Sequence, residues 1–238
     1  MISVKFEVIE FEEQVQIISE FLRLNNANSM FVAKTLGLNT NDQPEVLRQK
    51  ILVQYSELLP KLNEKRTAFQ QIWNKHKKFI NNEFKNIFSK EFCFNCTVRV
   101  NINPSSPRFL ENHSFDVDVM SSDEYLLSTC IHEILHFAWF ELWKQNFPNI
   151  PQTEYEYPHP SWLISEIALE PLFRFSKLKN LITNKFFAYE YFYHEKINNQ
   201  TISSIANKMF SESENILKFQ QKMFDYFYNN PKSKKLIK

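Results

Sequence analysis

Three short stretches of the chain alternate apolar and polar residues, a period of two that is typical of half-buried β-strands. In the first stretch, Val4 and Phe6 would point to one face of the strand, and the charged residues beside them to the other. The pattern predicts a small mixed sheet. Its strands are expected at residues 2–9, 94–102 and 115–119.

Other segments repeat their apolar residues at steps of three and four, which predicts amphipathic α-helices. A short helix is expected to end at Gly37, because glycine adopts the left-handed conformation of a helix C-terminus without strain. Two longer helices are expected on either side of Pro60. The predicted helices are residues 12–24, the short helix before Gly37, residues 44–59, residues 61–88, and two or three aromatic-rich pieces within residues 179–229.

Two further helices are predicted in the middle of the chain. Residues 124–145 are apolar nearly all round, which is typical of a helix buried at the centre of a domain. After a proline-rich loop, Ser161 can cap a second apolar helix, which Pro171 should stop or kink. Strands and helices of this kind, segregated along the chain, predict an α+β fold.

Composition and charge exclude several classes of protein. Lys and Arg number 28 and Asp and Glu 27, so the net charge of +1 provides no broad attraction for nucleic acid or a membrane surface. The single glycine excludes glycine-rich phosphate loops and dinucleotide-binding fingerprints. Three cysteines are too few for a disulfide framework, and no secretory signal or run of 18 apolar residues is present. We therefore expect a cytoplasmic protein without nucleic-acid or membrane partners.

The sequence HEILH, residues 132–136, lies in the first of the central apolar helices. Residues four apart on a helix project from one face about 6 Å apart, so His132 and His136 can bind one metal ion. Zinc accepts two imidazoles and keeps a position open for water, on which Glu133 can act as general base. The alternative is a pair of histidines held by hydrogen bonds in a structural core. A metal ion is favoured, because it supplies the partners without which these polar side chains are costly to bury.

A zinc site on this helix needs a third protein ligand. The glycine and histidine of the metzincin extension are absent after His136. The best candidate is Glu166 in SEIALE, which lies among apolar residues of the second central helix; Glu170, on the same face, would accept the spare N–H of a ligating histidine. The alternative for both glutamates is an exposed acidic stripe. His159, in the loop before this helix, is the alternative third ligand.

HEILH followed by a helix with Glu166 and Glu170 resembles the gluzincin group of zinc metallopeptidases, which carry H-E-x-x-H on one helix and N-E-x-x-x-D on the next. The resemblance covers residues 115–170. It implies a zincin-like fold in which an edge strand, here residues 115–119, lies above the cleft and pairs with extended substrate. The chain departs from the pattern at Ser165, in place of asparagine, and at Glu170, in place of aspartate.

The expected activity is hydrolysis of a peptide bond in a peptide or protein substrate. Zn²⁺ would be held by His132, His136 and Glu166, and Glu133 would move the proton of the attacking water. A different class of function is a zincin-fold binding or regulatory protein that retains the metal with little catalysis. Fold-level resemblance does not separate the two classes.

An aromatic stretch, FFAYEYFYHE at residues 186–195, is a candidate source of the group that stabilises the oxyanion in such an enzyme. Tyr189 and His194 are the candidates within it, and His159 is a further candidate for the cleft. The alternative is an aromatic face packed in the core.

We expect a single metallopeptidase-like domain, because no internal repeat or low-complexity linker marks a boundary. Its parts are the N-terminal strand and helices (residues 1–90), the zinc-site core (residues 91–178) and the C-terminal helices (residues 179–238).

Overall fold

The computed structural model describes residues 1–24, 27–182, 186–234 and 236, and it confirms an α+β architecture. The strands are β1 (Ser3–Val8), β2 (Asn95–Asn101), β3 (Arg108–Phe109), β4 (Ser114–Asp118), β5 (Lys196–Ile197) and β6 (Gln200–Thr201). The helices are α1 (Phe11–Arg23), α2 (Ala27–Thr35), α3 (Pro44–Phe88), α4 (Asp123–Asn146), α5 (Pro160–Arg174), α6 (Ile202–Ser211), α7 (Ile216–Phe227) and α8 (Pro231–Lys234). Within the described ranges, no helix has the length and apolar content needed to cross a membrane.

The tertiary contacts group the chain into two compact units. The sheet unit comprises residues 2–77 and 93–130, and the site unit comprises residue 1 with residues 78–92 and 131–238. Helices α3 and α4 contribute residues to both units. The segment expected as the zinc-site core is divided between them, since its strands belong to the sheet unit and HEILH belongs to the site unit.

The sheet unit contains a four-stranded mixed sheet with the order β1-β2-β4-β3. The strands β1, β2 and β4 run parallel, and β3 is antiparallel to β4. Apolar residues of neighbouring strands lie side by side, as in the pairs Phe6 with Val98 and Val98 with Phe115. These buried pairs explain why the alternating pattern identified all three parallel strands.

The prediction that residues 115–119 form an edge strand is wrong. Strand β4 lies between β2 and β3, and the backbone N–H of Asp116 also donates to the carbonyl of Pro107 at 3.0 Å. The loop before β4 folds back and pairs through Arg108 and Phe109. Two residues are too short to show a period of two, so the sequence pattern could not reveal this strand.

Helix α3 is continuous from Pro44 to Phe88, although two helices were expected around Pro60. Proline removes one backbone hydrogen bond, but it does not interrupt the buried stripe of the helix. Ile51 and Leu62, on either side of Pro60, are both fully buried, and eleven residues make three turns of about 3.6 residues each. The two halves therefore present one continuous apolar face, and packing of that face offsets the local cost of proline. In the same way α5 continues past Pro171 to Arg174.

The C-terminal part of the chain contains fewer helical residues than expected. Helices α6 and α7 confirm two helical pieces, of which α7 is aromatic-rich, but Glu190–Tyr193 forms a short 3₁₀ turn and β5 pairs with β6 as a hairpin. Asn198 and Asn199 occupy the two-residue loop of this hairpin with φ of 52° and 66°. Such a loop requires positive φ at both positions, and asparagine tolerates it better than most residues.

Arg99 and Asp116 form a buried ion pair in the sheet, and Arg99 also binds the more exposed Glu13. The guanidinium of Arg99 on β2 donates to Asp116 at 2.7 Å and to Glu13 at 2.6 Å, and it lies 4.1 Å from the ring centre of Phe109. Burial raises the pKa of Asp116 to about 6, although Arg99 acts in the opposite direction. Arg99 therefore partly offsets the cost of burying this carboxylate.

Arg99→Met is expected to lower the free energy of unfolding by about 3–5 kcal/mol, because it leaves the buried carboxylate of Asp116 without its cation. Loss of Arg99 raises the folded-state pKa of Asp116 further above its value in the unfolded chain. Stability then falls as the pH rises between those two pKa values, so the loss should be larger at about pH 8 than at about pH 5. Urea unfolding at both pH values measures the effect. Arg66→Met, at an exposed position of α3, is the control; equal losses for the two variants would contradict the prediction.

Candidate metal centre

The HEILH helix, α4, begins with a side-chain cap and acidic residues that favour its N-terminus. The hydroxyl of Ser122 accepts a hydrogen bond from the backbone N–H of Tyr125 at 3.2 Å, and acidic residues occupy the first turn of α4. Further along, nearly every residue from 130 to 140 is buried. The helix therefore carries its two histidines into an environment that offers little water.

Three side chains converge in the site unit. The Nε2 atoms of His132 and His136 are 3.2 Å apart. Oε1 of Glu166, on α5, lies 3.3 Å from Nε2 of His136, and Oε2 of Glu166 lies 3.6 Å from Nε2 of His132. The described residues contain one such group of potential metal ligands, and it consists of these three side chains.

These separations fit a tetrahedral metal ion. Zinc bonds of 2.0–2.1 Å to nitrogen and oxygen place tetrahedral ligand atoms about 3.3–3.4 Å apart. The two Nε2 atoms, 3.2 Å apart, lie close to that value, and each is within 3.6 Å of one or the other oxygen of Glu166. With one donor atom taken from each residue, the three atoms lie within 4.8 Å of one another. Two imidazoles and one carboxylate are also a donor set that suits zinc and related transition metals. The group of His132, His136 and Glu166 could therefore hold a metal ion.

The three ligand side chains differ in burial, and this difference determines where solvent reaches the centre. His136 is completely buried and Glu166 is 3% exposed, whereas the side chain of His132 is 31% exposed. The centre is therefore enclosed at His136 and reached by solvent beside His132. The alternative of an exposed acidic stripe on α5 is wrong, since Glu170 is completely buried as well.

Glu133 lies beside the ligands. Its carboxylate Oε1 is 3.8 Å from Nε2 of His132, and the residue is only 7% exposed. A carboxylate in this place can exchange a proton with a molecule bound near His132 without occupying a ligand position of the group.

Glu170 was expected to accept a hydrogen bond from a ligating histidine, but its hydrogen bonds come from other residues. Its Oε1 accepts hydrogen bonds from Nε of Arg174 and from Nδ2 of Asn207, and its Oε2 accepts from the hydroxyl of Tyr193. The prediction that Glu170 binds a ligating histidine is therefore wrong. Arg174 lies on α5 four residues after Glu170, but the other two donors come from α6 and from the 3₁₀ turn, which no local spacing connects to α5.

The other predicted site residues lie outside the three-ligand group. His159 immediately precedes α5 as its N-cap residue. Tyr189 is 47% exposed, with its ring centre 6.2 Å from that of Trp162 and 5.8 Å from that of Tyr191. His194 is exposed and has a carboxylate of Glu190 at 3.9 Å.

The sequence did not single out Tyr191, whose pKa responds to the charge of Glu166. Burial, the charge of Glu166 and, to a smaller extent, Tyr157 raise the pKa of Tyr191 to about 12. Its hydroxyl is therefore protonated at neutral pH and available as a hydrogen-bond donor. The stretch YEYFY offers three tyrosines at steps of two, and nothing in the sequence distinguishes the one near Glu166.

No protein-family model, curated protein or solved structure matches this chain. The site combines three side chains that could hold a metal ion with a buried carboxylate beside them.

Proposed function

We propose that this chain is a zinc-dependent metallopeptidase of the gluzincin type, which hydrolyses peptide bonds in a peptide or protein substrate. The observation that carries the proposal is the convergence of His132, His136 and Glu166, whose donor atoms lie within 4.8 Å of one another, with the carboxylate of Glu133 beside them. His136 and Glu166 are buried polar groups, and a bound metal ion would help to offset the cost of that burial.

His132, His136 and Glu166 would hold the zinc ion. When bound, zinc supplies a Lewis acid that lowers the pKa of a water molecule and polarises a carbonyl group. The helical spacing of the two histidines and the buried position of Glu166 orient the three donors before a metal arrives, which reduces the ordering cost of binding.

Glu133 would act as the general base. Its carboxylate takes a proton from the attacking water and then delivers that proton to the nitrogen of the leaving amine. The nearly complete burial of Glu133 limits competing proton exchange with bulk water.

Tyr191 would donate a hydrogen bond to the carbonyl oxygen of the scissile bond as negative charge develops there. Burial is the main cause of its raised pKa, and the charge of Glu166 contributes. Tyr189 and His194, which are both exposed, stay the other candidates for this role.

Metal analysis after purification without chelators tests the proposal. We expect about one zinc ion per chain, and less than about a tenth of an equivalent would contradict it. A peptide library analysed by mass spectrometry then tests hydrolysis, with a chelator and subsequent zinc addition as the reversible control. Full zinc content with no cleavage in the library would instead support a binding or regulatory protein.

A further inference from the structure

Three aromatic rings are in contact at the start of α5, and two of them are exposed to solvent. The ring centre of Trp162 lies 5.1 Å from that of Tyr157 and 6.2 Å from that of Tyr189. Tyr157 is 49% exposed and Tyr189 is 47% exposed, whereas most aromatic rings of the site unit are buried in the core. We call these three residues the aromatic surface.

The aromatic surface is joined to the metal centre through α5. Trp162 precedes Glu166 by four residues within this helix, so the two side chains share one helix face. Four residues of an α-helix span about 6 Å along its axis. A molecule that contacts Trp162 is therefore about one helical turn from a candidate metal ligand.

A second connection runs through the loop before α5. The ring of Tyr155 stacks on Phe140 with the ring centres 4.5 Å apart, and the ring centre of Phe140 lies 6.3 Å from that of His136. Tyr155 is only 3% exposed, so this stack anchors the loop to the part of α4 that carries His136. Tyr157 follows two residues later in the chain. The aromatic surface is thus held beside the metal centre from two directions.

The charges next to the aromatic surface indicate what it binds. Glu156 directly precedes one exposed tyrosine and Glu190 directly follows the other, and the side chain of Glu190 is 69% exposed. Residues 151–173 and 186–195, which supply the surface, contain no lysine or arginine. Tryptophan and tyrosine rings attract cations to their faces, and neighbouring carboxylates add to that attraction. Arginine fits best, because its planar guanidinium stacks on aromatic rings and binds carboxylates through paired hydrogen bonds.

We propose that the aromatic surface binds an arginine side chain of a peptide close to the bond that is cleaved. Its assignment as a substrate subsite rests on the proposed function, whereas the binding of arginine does not. An extended peptide advances about 3.3 Å per residue, so the arginine would lie within about three residues of the cleaved bond.

Peptide binding tests the proposal without an assay of cleavage. The full chain with Glu133→Gln is titrated in a calorimeter with a blocked pentapeptide whose central residue is arginine, and with the same peptide carrying citrulline, which keeps the shape but has no charge. We expect the arginine peptide to bind at least about tenfold more tightly, and added salt to reduce this preference. Equal affinities, no binding of the arginine peptide, or tighter binding of a peptide with leucine or phenylalanine at that position would overturn the proposal.

The double variant Tyr157→Leu, Tyr189→Leu tests whether the aromatic surface is the place of binding. Both positions are about half exposed, so the fold and the zinc content should be retained. The preference for arginine over citrulline should fall below about threefold. Tyr125→Leu is the matched control, because it replaces a tyrosine that is 53% exposed at another position, and its preference should be unchanged. A full preference in the double variant would place arginine elsewhere and overturn the proposal.

The cleavage products of the peptide library test the assignment as a substrate subsite. Cleaved peptides should be enriched at least about tenfold in arginine within three residues of the cleaved bond. Cleavage without this enrichment would overturn the assignment as a substrate subsite. Absence of cleavage would contradict the proposed function, and the calorimetric titration would still decide whether the aromatic surface binds arginine.

Discussion

Glu133→Gln is expected to lower kcat for peptide hydrolysis by about 10²–10⁴-fold while the zinc content stays at about one per chain. Glutamine has the shape of glutamate but does not accept a proton at neutral pH. Because Glu133 lies beside the ligand group rather than in it, the three donors should remain in place. Initial rates on a cleaved peptide and metal analysis of the same samples measure the two quantities.

Glu141→Gln provides the control for this experiment. Glu141 lies on the same helix and pairs with Lys90 at 2.8 Å, with both side chains partly exposed. It should retain the full rate and the full zinc content. A native rate in Glu133→Gln would show that another group is the base, and a loss of zinc would show that Glu133 supports the ligands.

His136→Ala is expected to abolish stoichiometric zinc binding. The His136 ring is completely buried and is one of three donors, so two donors with unequal exposure would remain. Free zinc at a hundred times its dissociation constant should raise the free energy of unfolding of the unmodified chain by about 2.7 kcal/mol. The variant should gain less than about 0.5 kcal/mol under the same conditions. Chemical unfolding with and without zinc measures this gain within each variant. The destabilisation caused by the cavity that the lost ring leaves is the same in both measurements, so it cancels.

His194→Ala is the control, because it removes an imidazole from an exposed position outside the ligand group. Its zinc-dependent gain should equal that of the unmodified chain. If His136→Ala kept the full gain, zinc would be bound elsewhere and the proposed centre would be wrong. If neither the unmodified chain nor His194→Ala gained stability from zinc, the donor group would be a metal-free cluster.

The parts of the fold that the sequence predicted correctly are those that a local pattern determines. The three parallel strands follow from alternating apolar residues, and α4 follows from its apolar length with a serine at its start. The expected break at Pro60 and the expected stop at Pro171 were wrong, because the local cost of proline was weighed without the packing that offsets it. The strand β3 and the hairpin of β5 and β6 are too short to carry a period.

By itself, the sequence determined that His132 and His136 share a helix face with Glu133 beside the first of them. This arrangement needs only the 3.6-residue repeat of one helix, which adjacent residues define. The tertiary structure decided which distant residues meet this face. It brought Glu166 to the histidines, left His159 outside the group and paired Glu170 with Tyr193. These contacts join elements that are far apart in the chain. Their geometry depends on how whole helices pack, and the spacing of neighbouring residues does not predict that packing.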